Sequence, residues 1–572
     1  MVYFIKKSNT RSKGLYLQIY QSYYVPGKGN RNKSYKVLGY YDDLVAQGIC
    51  DPLAHFQQEV DDLNQKADKT KDIEIGDTSV TKNLGYFLLK GMFDLLAIDP
   101  IVHIMTRHMK FQYAVSDLIK TLTYAQVTNP GSKFQAVEHV IPNLYGGKTF
   151  SYDQILDGVC FLGEDYPKYI ELLNYQIHKI WPRDVSTTYF DCTNYYFEID
   201  GEDNDKKKGP SKENHQGPII SQALLLDSNQ IPIGMKMFPG NQSEKPELRK
   251  MIEDVKNRYE VDGRIVQVAD KGLNCGQNIY SAVKEAKDGY LFSKSVHGKN
   301  LSQSEKQWIL LDNDQNKWKT VEDEQGKIQY KYKEMIDTFK YQFINEAGEK
   351  VSFEVKEKRV VTYTPSLARK QCIEIQKEID KLSDLLTVKG ITRKEIGDKT
   401  KYINIHAFDD HGVVIPVEVM LNKVKINEEF ALAGYNLLVT SETNKSGKEI
   451  YEIYHGLSRI EESFRIMKSY LEARPVFLQK QESIEGHFLI CYYGLTILRL
   501  LELYTFESKL SVSQIVKFIR QYNITEIGEG SFINSASKNK THDLIKRQLG
   551  LAKLGTLHLR KKDVDNILNF EL

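Results

Sequence analysis

The six cysteines of this 572-residue chain, Cys50, Cys160, Cys192, Cys275, Cys372 and Cys491, are scattered, with no CxxC pair or other zinc-ligand spacing. That excludes a disulfide scaffold and a cysteine zinc site, and makes a reducing cytosol the natural setting. No apolar leader opens the chain. The longest apolar run, Leu489 to Leu498, stops at Arg499, well short of the roughly 20 residues a membrane span needs. The expectation is a cytoplasmic protein with no membrane partner. Net charge is scarce too: 78 Lys and Arg face 76 Asp and Glu, for +2 overall. A surface for a polyanion must therefore come from local charge. There is no internal repeat or low-complexity tract, and no Ser, His, Asp or Cys, His grouping that would carry metal-free hydrolysis.

Local charge is present at both ends. The first forty residues hold Lys6, Lys7, Arg11, Lys13, Lys28, Arg31, Lys33 and Lys36 and no Asp or Glu, an excess of +8, interleaved with Tyr3, Phe4, Tyr16, Tyr20, Tyr23, Tyr24, Tyr35 and Tyr40. Alternation such as Tyr16, Gln18, Tyr20 reads as strand and "VPGKGN" as a turn, so a cationic hairpin able to lie on a phosphate backbone is expected. The plainer alternative is a solvated basic face. Residues 531 to 562 carry a second excess, of +7.

A chain of this length is expected to form two to four domains. Residues 1–80 read as the basic hairpin and a linker, and 81–184 as a helical module, with Leu118, Ile119, Leu122 and Ala125 at helical spacing. Near residue 185 the period changes to alternation, and the order becomes strand, strand, strand, helix, strand, helix, strand. "IISQALLLD" and "IPIGMKMF" are separated only by "SNQ", as a hairpin requires. Antiparallel strands leading into a helix and a parallel strand make up the order of a ribonuclease H-like core, expected over 185–296. Residues 297–433 look like a β-rich insertion containing one amphipathic helix (Ile375, Ile379, Leu382, Leu386). Residues 434–510 return to the core with a strand and a long helix from about Lys448, and 511–572 form a basic helical tail.

The long helix carries the densest chemistry. Tyr454, Glu461 and Lys468 are seven residues apart, so at about 100° per residue they share one face, which Arg465 joins, while Glu462 is turned away by a full step. Glu461 is therefore the metal-ligand candidate of the two. Asp191 ends an apolar, aromatic strand, and Asp270 follows Ile265, Val266, Val268 and Ala269. A carboxylate in such surroundings is costly without a cation. Two of them suggest Mg²⁺, which takes few carboxylates plus waters and phosphate oxygens, and two ions about 4 Å apart serve phosphoryl transfer. Taken singly, an Asp after a strand is more often a cap or turn. The joint occurrence of the three in this order is what points to a site.

The segments "YFDCTNYYFE", "FPGNQSE", "VADKGLNCGQNI" and "SRIEESFRIMKSYLEARPVF" resemble the blocks of bacterial insertion-sequence DDE transposases with a Y, R, E, K signature (the insertion-sequence family four superfamily), over about residues 80 to 510. The resemblance implies that Asp191, Asp270 and Glu461 form the catalytic, metal-binding triad, with Mg²⁺ or Mn²⁺ as two ions. It also implies that Tyr454 and Lys468 contact transposon-end phosphates. The signature arginine would fall at Leu457, so Arg459 or Arg465 is the candidate for that role, and Lys212, in the polar loop after the first strand, is a further DNA contact candidate. The implied activity is cleavage at insertion-sequence ends and joining to target DNA. The implied partners are double-stranded DNA (terminal inverted repeats and target) and a second copy of the chain at synapsis, in a nucleoid-associated setting. Two rivals stand beside it: a metal-dependent nuclease that cuts without joining, and a catalytically silent DNA-binding descendant.

Overall fold

The alternation along the first forty residues forms strands in the computed structural model. Val2–Thr10 (β1), Gly14–Val25 (β2) and Gly29–Tyr40 (β3) make an antiparallel sheet in chain order. The structure describes residues 2–10, 14–25, 29–68, 81–199, 201–210, 217–258, 263–297, 301–310, 317–386, 402–406, 418–528 and 530–572. The chain divides into two compact units, Met1–Val80 and Thr81–Leu572. In the first unit the expected hairpin is the β2–β3 pair, and β1 adds a third strand, registered from Val2↔Ser22 to Thr10↔Gly14. Leu17, Ile19, Leu44 and Val60 are its buried apolar residues. The helix Pro52–Asp68 is fastened to β1 by Asn64, which accepts from the Tyr3 N–H at 2.8 Å and donates to the Tyr3 carbonyl at 3.0 Å.

The second unit opens with Thr81–Asn83 (β4) and a run of helices up to Tyr166–Ile180. Its sheet is built from Thr187–Tyr196 (β5), Ile219–Leu226 (β6), Pro232–Pro239 (β7), Val266–Ala269 (β8), Gly289–Lys294 (β9), Lys319–Glu322 (β10), Ile328–Ile344 (β11) and Lys350–Tyr363 (β12). A separate hairpin, Ile403–His406 (β13) and Glu418–Leu421 (β14), precedes the last strand of the sheet, Tyr435–Thr440 (β15). Among the described residues nine strands join in the order β10-β11-β12-β15-β9-β8-β5-β6-β7. β5 pairs antiparallel with β6 and parallel with β8, and β8 pairs parallel with β9. β6 is apolar almost throughout because both of its faces are covered and all eight residues are buried. Along β5 the pleat sends Tyr189 and Tyr195 to one core and Phe190 and Cys192 to the other.

The insertion does not stand apart. β12 pairs with β15, and β10 to β12 extend the same sheet. Pairing between strands far apart in sequence leaves no local signal of this. The helix Pro365–Leu386 buries Ile375, Ile379 and Leu382 in a small core with Tyr402 and Ile426.

The helices before β5 form one continuous core with those after β15, around the helix Gln481–Leu500. By length and composition, Gln481–Thr505 would suffice to cross a membrane, which corrects the expectation of too short a run, because Arg499 does not end the helix. Every residue from Gly486 to Leu500 is buried inside the unit. The neighbouring helix Tyr152–Glu164 approaches it at glycines: a Cβ on Gly486 would stand 1.9 Å from the Val159 carbonyl oxygen, and one on Gly163 1.6 Å from that of Glu482. The tail is not purely helical. Asn523–Gly528 (β16), Ser531–Asn534 (β17) and His558–Arg560 (β18) form a sheet in the order β18-β17-β16-β4, so the two ends of this unit are joined by hydrogen bonds. Strands of three to six residues offer too few alternations to outweigh the helical periods around them.

Candidate active site

Strand register brings the two aspartates together. The last registered pair between β5 and β8, whose backbones run about 5 Å apart, is Phe190↔Ala269, so Asp191, still on β5, and Asp270, just past the end of β8, each directly follow it. Ala269 in turn pairs with Phe292, which extends the row to Ser293 on β9. Side chains alternate, and Phe190, Ala269 and Phe292 all enter one core. The row Asp191, Asp270, Ser293 therefore belongs to the opposite face, the face of Tyr189, Val268 and Leu291, against which Leu457, Ile460 and Phe464 are packed.

Each aspartate has one oxygen engaged by a neighbouring amide. Asp191 Oδ1 accepts from the Cys192 N–H at 2.8 Å, and Asp270 Oδ1 accepts from the Gly272 N–H at 2.8 Å. Asp270 is thus also a turn residue, yet a carboxylate offers about four acceptor positions and the turn uses one. The loop behind it is tied down by Asn274, which donates to the Ser293 carbonyl at 2.9 Å, and by Asn278, which donates to the Leu273 carbonyl at 2.9 Å.

The single long helix expected from Lys448 is instead three consecutive turns of different pitch. Gly447–His455 is α-helical and opens with a Ser446, Glu449 capping box. The junction tightens to 3₁₀ bonds (Leu457 N–H to the Tyr454 carbonyl, 3.0 Å; Ile460 N–H to the Leu457 carbonyl, 3.1 Å). Ser458–Arg465 is α-helical again, and Ile466–Tyr470 widens to a π-turn. Gly456 explains the tight junction. A Cβ there would stand 2.5 Å from the Tyr189 hydroxyl and 2.6 Å from two ring carbons, so only glycine lets this segment lie on β5, two residues from Asp191. Gly456→Ala is expected to lower stability by about 1–3 kcal/mol and to displace the Glu461 helix from the aspartates. A thermal melt together with a crystal structure of the variant checks this, and an unmoved Ser458–Arg465 helix would refute the displacement.

Tyr454 reports on the three carboxylates together. Its hydroxyl is pushed up to about 12, first by burial, then by Asp270, Glu461 and Asp191, against the effect of a hydrogen bond with Ser293. Glu461 itself is exposed. Lys468 Nζ lies 5.4 Å from the centre of the Tyr195 ring, on the β5 face that Asp191 shares. The two arginines go elsewhere. Arg459 pairs with Glu462 at 2.8 Å and Arg465 reaches it at 3.5 Å, so Arg465 sides with Glu462 rather than with the Tyr454 stripe. Lys212 lies outside the described residues. Its neighbour Lys206 is buried, ion-paired with Asp203 and bonded to the Gln479 carbonyl at 3.0 Å.

Behind Glu461 is a network that the sequence alone does not reveal. Arg499, 2% exposed, pairs with Glu502 at 2.6 Å and Glu462 at 3.1 Å, and donates to the Arg459 carbonyl at 3.2 Å and the Ser463 hydroxyl at 3.3 Å. Burial works against the Glu462 charge, but Arg499 and Arg459 outweigh it and hold this carboxyl below its ordinary range. Glu462 is thereby committed to structure, whereas its neighbour Glu461 is exposed. Ser293 was likewise missed, although the run "YLFSKSV" aligned on "QVAD" would have shown it beside Asp270.

As donors for a metal, the row offers oxygen ligands only, the kind Mg²⁺ takes. Among the described residues no three His, Cys, Asp or Glu side chains are gathered closely enough to hold one ion by themselves. One or two carboxylates per ion, completed by waters and substrate phosphate, is the ordinary Mg²⁺ arrangement, and the Asp191, Asp270 pair fits it.

No protein-family model matches the chain, and no curated protein matches it. Among solved structures it is similar to a piggyBac transposase synaptic complex with hairpin DNA, at 10% identity and a TM-score of 0.37 over 85% of this chain and 84% of the other.

Proposed function

We propose that this chain is a DDE transposase with a ribonuclease H-like core, which cuts at the ends of an insertion sequence and joins them to target DNA as a dimer on paired ends. The observation that carries the reading is that Asp191 and Asp270 each directly follow Phe190↔Ala269, the last registered pair of two parallel neighbours, and that both, with Glu461, act on the Tyr454 hydroxyl. The strand order β7-β6-β5-β8-β9, two antiparallel pairings followed by two parallel ones, supports the core assignment. On this reading Asp191, Asp270 and Glu461 hold two Mg²⁺ ions, which when bound supply activation of the attacking oxygen and stabilisation of the leaving one.

The remaining roles follow from the chain's own groups. Tyr454, with its hydroxyl pushed up to about 12, stays protonated at neutral pH. It is therefore a hydrogen-bond donor to a phosphate oxygen and not a general base. Lys468, held over Tyr195, adds a positive charge on the same face to orient the phosphodiester for in-line attack. Arg459 is committed to Glu462, so the phosphate contact that the signature arginine would make falls to Lys468.

The test is strand joining. With Mg²⁺ and pre-cut duplex ends taken from the DNA flanking the coding region, the full-length protein is expected to link those ends to a plasmid, and EDTA to stop it. Cutting without joining would favour the nuclease, and binding without either would favour the silent descendant.

A further inference from the structure

The π-turn Ile466–Tyr470, which carries Lys468, runs out into Leu471 and Ala473, both fully buried. The last carbonyls of a helix have no partner within it, and buried ones must find partners elsewhere. Side chains from three other helices supply them. Arg520, on Val512–Gln521, donates to the Tyr470 carbonyl. Gln126, on Val115–Thr128, donates to the Leu471 carbonyl at 2.6 Å, and His487, on Gln481–Leu500, lies 3.2 Å from the Ala473 carbonyl.

Behind two of these donors stands Lys133, itself buried, on the short helix Lys133–Gln135. Its Nζ lies 3.2 Å from Gln126 Oε1 and 3.1 Å from His487 Nδ1. A lysine ammonium only donates, so each contact fixes the orientation of the side chain it reaches. With Oε1 turned to Lys133, the Gln126 amide presents its Nε2 to Leu471. With Nδ1 accepting, the imidazole carries its proton on Nε2 and donates it to Ala473. Burial first, then Lys133, pushes His487 down to about 3, so the ring is neutral and keeps that tautomer. Burial pushes Lys133 down to about 8, which leaves it charged at neutral pH. Cys491 Sγ, 3.9 Å from His487 Nε2, is pushed up to about 12 by burial and stays a thiol, so it adds no charge. Among the described residues no carboxylate pairs with Lys133, and the fold bears the cost of burying its ammonium. A methionine of similar length would avoid that cost but would orient neither neighbour.

We propose that Lys133 is a positioning residue: through Gln126 and His487 it holds the Leu471 and Ala473 carbonyls, and so fixes the end of the segment from which Glu461 and Lys468 reach the reacting phosphate. The proposal rests on the functional reading above for what that segment does, and on the hydrogen bonds alone for what holds it.

The test uses the full-length chain with Lys133→Met and, separately, Gln126→Glu, which keeps an acceptor for Lys133 but sets an oxygen against the Leu471 carbonyl. Hydrogen exchange read by mass spectrometry, well below the melting temperature, follows the Leu471 and Ala473 amides, which donate to the Ile466 and Met467 carbonyls at 2.9 Å. In both variants exchange over residues 466–474 is expected to quicken about tenfold or more, against less than about twofold in Tyr152–Glu164, which packs on the same helix as His487. In strand joining from pre-cut ends, kcat is expected to fall about a hundredfold in Lys133→Met with KM for the ends nearly unchanged. Unchanged exchange over 466–474 in both variants, an equal rise in Tyr152–Glu164, or a loss confined to KM overturns the proposal. If the wild-type protein joins no ends yet both variants loosen this segment, the clamp stands and the transposase falls. If the wild type joins ends and Lys133→Met joins them as fast, the transposase stands and the positioning role falls.

Discussion

Cleavage by the Asp191→Asn protein is expected to fall by about three orders of magnitude or more, roughly 4 kcal/mol of transition-state stabilisation, and Asp270→Asn and Glu461→Gln to match it. The substitutions are chosen to leave the fold alone. An asparagine Oδ1 still accepts from the Cys192 N–H or the Gly272 N–H, which Asp191 and Asp270 now satisfy. What disappears is the negative charge that a divalent cation needs. The same argument predicts a second readout that is independent of activity. Two carboxylates on neighbouring strands, whose backbones run about 5 Å apart, repel each other without a cation, so Mg²⁺ is expected to raise the wild-type melting temperature and to raise that of Asp191→Asn much less. Cleavage that survives in Asp191→Asn, or an equal Mg²⁺ shift in both proteins, removes the basis for a metal site at this row.

The part of this site that the sequence discloses is the part governed by period-two geometry. "YFD" and "VAD" each end an apolar strand, and once the strands are parallel neighbours their aspartates meet without further information. The pitch changes around Gly456 were not legible, because their cause is Tyr189, a residue 267 positions away in the chain whose ring occupies the space of a Cβ. A uniform 100° step therefore placed Arg465 with Glu461, whereas in the folded chain it turns to Glu462. The preference for Glu461 over Glu462 came from that same idealised helix, and the structure supplies a different ground for it: Glu462 is occupied by Arg499. The extent of the sheet was hidden for a similar reason. β12 and β15 pair across more than seventy residues, and strand partners at that separation leave no periodic trace between them.

Arg499→Met is expected to cost about 3–5 kcal/mol, the usual penalty for removing one member of a buried ion-pair network. The side chains of Glu502 and Glu462, 5% and 21% exposed, would lose a guanidinium at 2.6 and 3.1 Å, and Arg459, at 2.8 Å from Glu462 and 3.8 Å from Glu502, replaces only part of it. The pH dependence fixes the origin of the loss. Because Glu462 is held below its ordinary range, its contribution is complete above the unfolded carboxylate value, about 4.3, and disappears as pH falls through the lower folded value. The gap between wild type and variant should therefore be widest at neutral pH and narrow in acid. Denaturant midpoints at pH 7 and at pH 2.5, below the carboxylate range, check this, and a gap that stays constant between them would mean lost packing of the long side chain rather than lost charge pairing. Arg499 also grips the Arg459 carbonyl and the Ser463 hydroxyl, on the turns that present Glu461. On the proposed function the variant is thus expected to cleave DNA poorly even at temperatures where it remains folded, since the carboxylate proposed as a ligand would sit on a loosened helix.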